Sequence, residues 1–488
     1  MPGLDDLREE RLRKLTAIRA RGGNPYPGEF FMDYALGEVS KNFSKFTKRK
    51  KESFILGRIL GIREHGGSLF LDLYDGTGRL QVYVKKDQVG EKAYTQFIGE
   101  VDIGDFIECC GTFFLTKKGE KTLTALRARI IVKSLRPLPE KWHGLTDIEE
   151  RFRRRYLDIL TSSEVHDRFI LRANVIDGIR NFLNEEGFLE VETPMLQEIA
   201  GGATAKPFVT HHNALSIDLF LRIAPELYLK ELLVAGYTKV YELGRNFRNE
   251  GIDATHQPEF TTLEVYASYQ TPATEKKRIE KLFGSLAKKI FGKKECRYDG
   301  VKISFSAPFR EMTFASIMKK FVLLPEKDFE NREAIILKAR QHGIVIENKD
   351  SIDRILDSLY KKFCRPKIIE PTFIVDFPIS FSPLAKKKEE SDKLIDRFQL
   401  VAGGLELANG FAELNDPLEQ RKRFLEQERR RKSGDEEAQK TNEAFIEALE
   451  YGMPPATGWA IGIDRLLMLF SDLKNIREAI IFPTLRPK

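Results

Sequence analysis

Residues 240–269, VYELGRNFRNEGIDATHQPEFTTLEVYASY, constrain the fold more than any other stretch of this chain. Residues 240–250 and 260–269 alternate in character while 251–258 carry turn formers, so the stretch reads as an antiparallel hairpin. Successive strand residues point to opposite faces, and parity sorts them. Leu263, Val265 and Ala267 fall on one face; Phe260, Thr262, Glu264 and Tyr266 fall on the other; in the first strand Glu242, Arg248 and Glu250 share a face. One side is apolar, and the other offers a guanidinium, carboxylates, a ring and a phenol. That face suits a ligand that is part phosphate, part flat base and part cation, or it is the wet face of an antiparallel sheet.

A chain of 488 residues is too long for one ordinary core and implies two to four domains. No run of about 18 apolar residues occurs, which excludes a membrane-spanning helix. The start, MPGLDDLREERLRKL, lacks a signal-peptide core, so a cytoplasmic protein is expected. Cys109, Cys110, Cys296 and Cys364 show no Cys-x-x-Cys spacing and read as reduced thiols with no zinc site. A net charge of +7 permits a polyanionic partner without proving one.

Residues 4–21 read as a helix stopped by Gly22-Gly23-Asn24-Pro25. The basic run Lys41, Lys45, Lys48, Arg49, Lys50 and Lys51 is either a solvated face or an RNA-backbone contact. From 54 to 138 the texture changes to five short β-rich pieces separated by Gly66-Gly67 and Asp75-Gly76-Thr77-Gly78, as in a small Greek-key barrel of the OB type or a generic small barrel. A charged connection follows, in which Arg151, Arg153, Arg154 and Arg155 face either RNA or water. Beyond His166, Phe169, Ala173, Ile176, Ile179 and Leu183 recur at helical spacing and predict one buried stripe, and FLEVE then reads as a strand ending before Pro194. Gly201 and Gly202 allow close backbone approach, and Glu226 opens a helix after Pro225. His211 and His212 are adjacent in a strand and point opposite ways, so no metal site is read there. Helical pieces at 275–290, 314–322, 332–342 and 351–362 precede the strand PTFIVDFP and the segments LELANGFAELNDP and TGWAIGIDRLLMLF.

Arg248-Asn249-Glu250 followed by His256 and Phe260 resembles the second signature motif of class II aminoacyl-tRNA synthetases. The resemblance implies that Arg248 holds the ATP α-phosphate, Glu250 accepts from the adenine amino group, Phe260 stacks on the adenine and His256 reaches the outer phosphates. The helix, strand and Pro194 resemble the first motif, which builds a dimer interface in the family; a monomer-core helix has the same pattern. TGWAIGIDR resembles the third, with Gly458 and Gly462 matching, Ala460 at the middle glycine and Arg465 on the γ-phosphate. The β-rich segment resembles the anticodon-binding domain of subclass IIb, with Phe70 stacking on a base and Arg58 and Gln81 making polar contacts, unless Phe70 is core.

GGATAKPF, HHNAL, LRIAPELYLK, GRNFRNEG and LANGFAELNDP each resemble bacterial-type lysyl-tRNA synthetases across nearly the whole chain. A buried ammonium needs carboxylate partners, and the resemblance assigns Glu226, Tyr266 and Glu413 to the lysine ε-ammonium. It assigns Gly202, Asn409 and the neighbourhood of Glu250 to the α-amino and carboxylate end, Phe411 to the side-chain slot, and Glu406 to Mg²⁺. Where the family has a second metal-binding glutamate, this chain has Gln399, a weaker ligand for a hard cation. Strict parity sets Glu406 opposite Glu413, so a bulge near Asn409-Gly410 is expected.

The expected fold is α+β: an N-terminal OB-fold β-barrel followed by a class II catalytic domain, an antiparallel sheet flanked by helices. Expected boundaries are a basic helical segment at 1–50, the barrel at 51–140, a linker at 141–160 and the catalytic domain at 161–488 with an insertion at 274–370. The function implied is ligation of L-lysine to tRNA(Lys) with ATP and Mg²⁺, by a homodimer without membrane attachment. The rivals are an aspartyl or asparaginyl member of the subclass, a non-catalytic tRNA-binding paralogue and a lysine-transferring modifier of a translation factor.

Overall fold

The computed structural model describes residues 3–139, 145–347, 350–432 and 440–487. Residues 140–144, where the expected barrel and linker meet, lie outside the described residues. The chain divides into two compact units, Met1–Leu145 and Thr146–Lys488.

The first unit is a closed five-stranded barrel. Helix α1 (Leu4–Ala20) precedes β1 (Ser53–His65), β2 (Ser68–Tyr74), β3 (Arg79–Lys85), β4 (Phe106–Leu115) and β5 (Lys121–Val132), which close in the order β1-β2-β3-β5-β4. Alternation sets inside from outside: Leu69, Leu71 and Leu73 are fully buried, while Phe70, Asp72 and Tyr74 between them are half-buried on the outer face. Strand β1 is far longer than its apolar piece at 55–58, because a register shift between Ile59 and Gly61 bends it around the barrel. The 1–50 segment shares the barrel's core: Ile18, Leu36, Val39, Phe43 and Phe46 pack in one cluster with Leu71 and Val82. The lysines of the basic run stay exposed.

The second unit is built on a nine-stranded sheet. Helices α2 (Ser163–Glu185), α3 (Glu226–Val234), α4 (Pro272–Phe291) and α5 (Ile463–Phe470) accompany β6 (Leu189–Glu190), β7 (Lys239–Phe247), β8 (Glu259–Ser268), β9 (Arg310–Thr313), β10 (Thr372–Pro378), β11 (Ser391–Ala402), β12 (Leu405–Ala412) and β13 (Ala456–Gly462). The order is β9-β10-β11-β12-β13-β8-β7-β6, with Lys387–Lys388 added onto β11. The central strands are antiparallel, and the outermost pairs, β9 with β10 and β6 with β7, are parallel. Leu263, Val265 and Ala267 join Ile279, Leu282 and Phe283 of α4 and Leu466 of α5 in one core, each large side chain contributing roughly 1.5–3 kcal/mol by burial. Thr271 caps α4, Pro272 occupies its first turn and Gly292 ends it at φ 72.

Some expectations are corrected. Helix α2 buries Val165, Arg168, Val175, Ile179 and Leu183, while Ala173 is exposed and Phe169 and Ile176 are only half-buried. Arg168 and Arg172 turn inward to Glu478 and Asp464, so the buried stripe contains cations that an apolar pattern skips. Arg155 faces neither RNA nor water; it is fully buried, donating to Asp158 and to the carbonyls of Arg477 and Ile481. The 274–370 segment supplies most of α4 and the edge strand β9 of the main sheet. FLEVE pairs only at Leu189–Glu190. Among the described residues, no helix is long and apolar enough to cross a membrane, and the four cysteines are free and buried.

Candidate active site and barrel face

The polar face of the second unit's sheet lines a cleft of about 1230 Å³. Strand register places two rows of side chains across it. Glu264, Ala460, Asn409 and Gln399 are successive cross-strand neighbours, and so are Tyr266, Gly458, Phe411 and Arg397. The β11–β12 hairpin therefore meets β13 and β8, which are distant from each other in the chain, side by side.

Glu406 reaches the same face through a bulge. Leu400 pairs with Ala408 and Val401 with Glu406, leaving Leu407 as the extra residue, so Glu406, Asn409, Phe411 and Glu413 share a face. The bulge lies two residues before the expected position at Asn409-Gly410.

At one end of the cleft, Glu226 at the start of α3 and Glu413 just after β12 converge on a cation the chain itself supplies. Lys230 Nζ lies 2.6 Å from Glu226 Oε1 and 2.6 Å from Glu413 Oε2, with its side chain fully buried. It also sits 5.4 Å from the centre of the Phe411 ring. Burial opposes charge on Lys230, but the two carboxylates outweigh it and hold its pKa above the ordinary value. Burial pushes Glu413 up to about 8, Glu226 adding to the effect, and raises Glu226 as well. Glu264 is pushed up to about 8 by burial and by Glu226, and Tyr266, whose hydroxyl donates to Glu264 at 3.3 Å, is raised by burial. Gly458 is required here: a Cβ on it would overlap the Glu413 carboxylate and the Tyr266 ring. Gly202, at φ +87, is required too, since a Cβ there would stand 2.9 Å from Glu226 Cβ.

The other end is basic. Arg248 follows β7, its N–H donating to Pro258 O at 2.8 Å, and its guanidinium lies over the Phe260 ring at 5.1 Å with the buried Nε unpartnered. Glu242 lies across from Glu264 in the register and pairs with Arg222, while Arg248 lies beyond the end of β7 at Phe247. Arg465 Nη2 is 3.1 Å from His256 Nε2, and His256 Nδ1 is 2.8 Å from Asp253. Burial opposes charge on Glu406, yet Arg465, Arg365, Lys361 and Arg397 outweigh it and hold its carboxyl below the usual range.

Among the assigned residues, Gly202, Glu226, Arg248, Tyr266, Glu406, Asn409 and Phe411 line the cleft directly. Glu413 lies just beneath, holding Lys230. Glu250 is exposed and outside the cleft lining, and His256, Phe260 and Arg465 border the cleft without lining it. Lys230 and Glu264 carry no assignment from the sequence; the Glu226–Lys230 spacing of four on a helix was the available signal for the first.

Magnesium takes six oxygen ligands in tight octahedral geometry, and the expected pair does not fit it. Glu406 Oε2 is 3.1 Å from Arg365 Nη1, and Gln399 Oε1 accepts from the Tyr360 hydroxyl at 2.5 Å. Gln399 is 4% exposed and does not line the cleft. Among the described residues no group of three or more His, Cys, Asp or Glu side chains is placed to hold a metal ion.

On the barrel, Phe70 is half-buried on the outer face, its ring centre 4.8 Å from that of Tyr83, which is 6.3 Å from that of Phe114. Gln81 lies on the same face and accepts from Thr122 at 3.0 Å. Arg58 is not beside them; its guanidinium covers Phe106 at 4.3 Å. The arginine directly across from Phe70 is Arg63, which donates to Asp72 at 3.0 Å. Arg63 and Tyr83 were missed because only the strand register identifies them.

Residues 147–486 match the family model of class II tRNA synthetases (D, K and N), and residues 54–131 match that of the OB-fold nucleic acid binding domain. A lysine–tRNA ligase of Pelotomaculum thermopropionicum is 45% identical over 487 residues, covering 99% of this chain and 96% of the relative. Those of Carboxydothermus hydrogenoformans and Moorella thermoacetica are 44% and 45% identical, covering 99% of this chain and 99% and 98% of the relatives. The polar sheet face, the barrel and this full-length similarity lead to one conclusion: the chain belongs to the lysine–tRNA ligase family of class II tRNA synthetases.

Proposed function

We propose that this chain activates L-lysine with ATP, giving lysyl-adenylate and pyrophosphate, and then transfers the lysyl group to the 3′-terminal adenosine of tRNA(Lys). The observation that carries the reading is the polarity of the cleft, acidic at Glu226 and Glu413 and basic at Arg248 and Arg465. Lys230 balances one of the two carboxylate charges and leaves the other for an incoming ammonium. Asn409 and Gly202 hold the α-amino and carboxylate end.

The lysine carboxylate attacks the α-phosphorus in line. A P–O bond forms, the bond to the bridging oxygen breaks, and pyrophosphate leaves with the electron pair. The nucleophile is already an anion, so no general base is needed; positioning and the fixed charges of Arg248 and Arg465 carry the step. Phe260 stacks on the adenine. A ribose hydroxyl of the tRNA then attacks the mixed-anhydride carbonyl: the ester C–O bond forms, the bond from the carbonyl carbon to the phosphate oxygen breaks, AMP departs with its electrons, and the hydroxyl proton passes to solvent. Mg²⁺ enters with ATP as part of that substrate. Phe70, Gln81 and Arg63 contact the anticodon. Exposed Leu189, Met195 and Leu196 suit burial against a second copy in a homodimer, and the free cysteines suit the cytoplasm.

The test is amino-acid-dependent exchange of pyrophosphate into ATP across the standard amino acids. Exchange with lysine alone is expected. Exchange with aspartate or asparagine overturns the pocket assignment, and silence with every amino acid favours a non-catalytic RNA-binding protein.

A further inference from the structure

We propose that Arg365 is a built-in cation standing in for a protein-held divalent metal beside Glu406, so that the nucleotide phosphates meet a guanidinium there. This rests on the reading of the cleft as an ATP site.

One short turn disables both expected metal ligands. Residues Tyr360–Cys364 form a π-helical turn that runs into the 3₁₀ turn Arg365–Lys367. From the first, the Tyr360 hydroxyl takes the Gln399 carbonyl oxygen at 2.5 Å; from the second, Arg365 Nη1 takes Glu406 Oε2 at 3.1 Å. The turn is fixed to the β11–β12 hairpin: Gly403 N–H donates to Ile369 O at 2.8 Å and Gly404 N–H to Ile368 O at 2.9 Å. Gly404 packs so closely on Pro366 that a Cβ would stand 3.1 Å from its Cα. Arg365 is therefore held in place rather than draped over the surface, with 14% of its side chain exposed.

Charge explains the exchange. A divalent ion between two carboxylates sums to zero, and so does one guanidinium beside one carboxylate and a neutral amide. Arg365 still has a buried Nε without a partner, a donor left over for an anion. Arg248 lines the cleft, and Arg465 and Arg365 flank its Glu406, so three guanidiniums surround the place proposed for the phosphates, a task for which their planar forks are suited.

The experiment counts Mn²⁺ bound to the full-length protein by electron paramagnetic resonance, with and without α,β-methylene ATP. The wild type is expected to bind a single Mn²⁺ per active site with the nucleotide and none without it. The double variant R365A/Q399E is expected to bind one ion more per site in the presence of nucleotide. Two or more ions per wild-type site overturn the proposal, as does a double variant that binds the nucleotide with the wild-type metal count. The wild-type count decides by itself should the variant fail to fold. Lysine-dependent exchange, measured on the same wild-type preparation, separates the two readings: its absence removes the lysine assignment, whereas its presence with a high metal count removes only the role of Arg365.

Discussion

Lys230 and Glu413 form an ion pair, 2.6 Å from Nζ to Oε2, in which neither side chain has any exposed surface. Removing one member of a buried pair leaves the other charge without a partner, which costs about 3–5 kcal/mol. Lys230→Met is therefore expected to lower the unfolding free energy by that amount, read by urea denaturation. A second change, Glu413→Gln, should restore part of it. A single variant as stable as the wild type would show that Lys230 is not the counter-ion.

Glu264 titrates at about 8 in the folded protein against an ordinary 4.5. Its folded-state pKa is raised, so its contribution to stability is fully present below pH 4.5 and is lost as pH climbs through about 8. Glutamine does not titrate. The stability of Glu264→Gln relative to wild type should accordingly rise from pH 4.5 and level off above about 8. A difference that stays flat across that range contradicts the burial argument.

Arg248 supplies charge to the cleft and lies over the Phe260 ring at 5.1 Å. Loss of one preorganised electrostatic donor lowers turnover roughly 10²- to 10³-fold. Arg248→Ala should slow lysine-dependent exchange by at least that factor with an unchanged thermal midpoint; near-normal exchange removes the ATP assignment.

The hairpin, the barrel strands and the apolar face of β8 were legible because period-two alternation is a local signal: Leu263, Val265 and Ala267 are all fully buried. What escaped depends on neighbours distant in sequence. Arg168 and Arg172 occupy inward positions of α2 because Glu478 and Asp464 meet them there. Tyr360 and Arg365 engage the expected metal ligands only through the fold of a turn some 40 residues away in the chain. On β1 the register shift after Ile59 sets Arg63, not Arg58, across from Phe70.

Stacking of an aromatic ring on a nucleic-acid base is worth about 1–3 kcal/mol. Phe70→Ala should raise the KM for tRNA roughly 5- to 150-fold, and Arg63→Ala should act in the same direction. Pyrophosphate exchange should be unaffected, since among the described residues those lining the cleft belong to the second unit. A tRNA KM that does not move would place the anticodon elsewhere.

The third signature motif carries two small residues that the structure treats differently. Gly458 lies between Tyr266 and Phe411 in one cross-strand row, and a methyl group on it would overlap the Glu413 carboxylate and the Tyr266 ring. Ala460 lies between Glu264 and Asn409 in the next row, where its methyl group already lines the cleft. Gly458→Ala must displace Glu413 or Tyr266. Overpacking of this kind costs about 1–3 kcal/mol, and the displaced groups are the ones assigned to the lysine ammonium. Its KM for lysine should therefore rise by at least about tenfold while that for ATP stays near wild type. Ala460→Gly removes a methyl group from the wall and should leave the lysine KM unchanged. Steady-state exchange with each substrate varied in turn makes the comparison, and equal effects of the two changes on lysine and ATP would mean that the rows do not divide the cleft between its substrates.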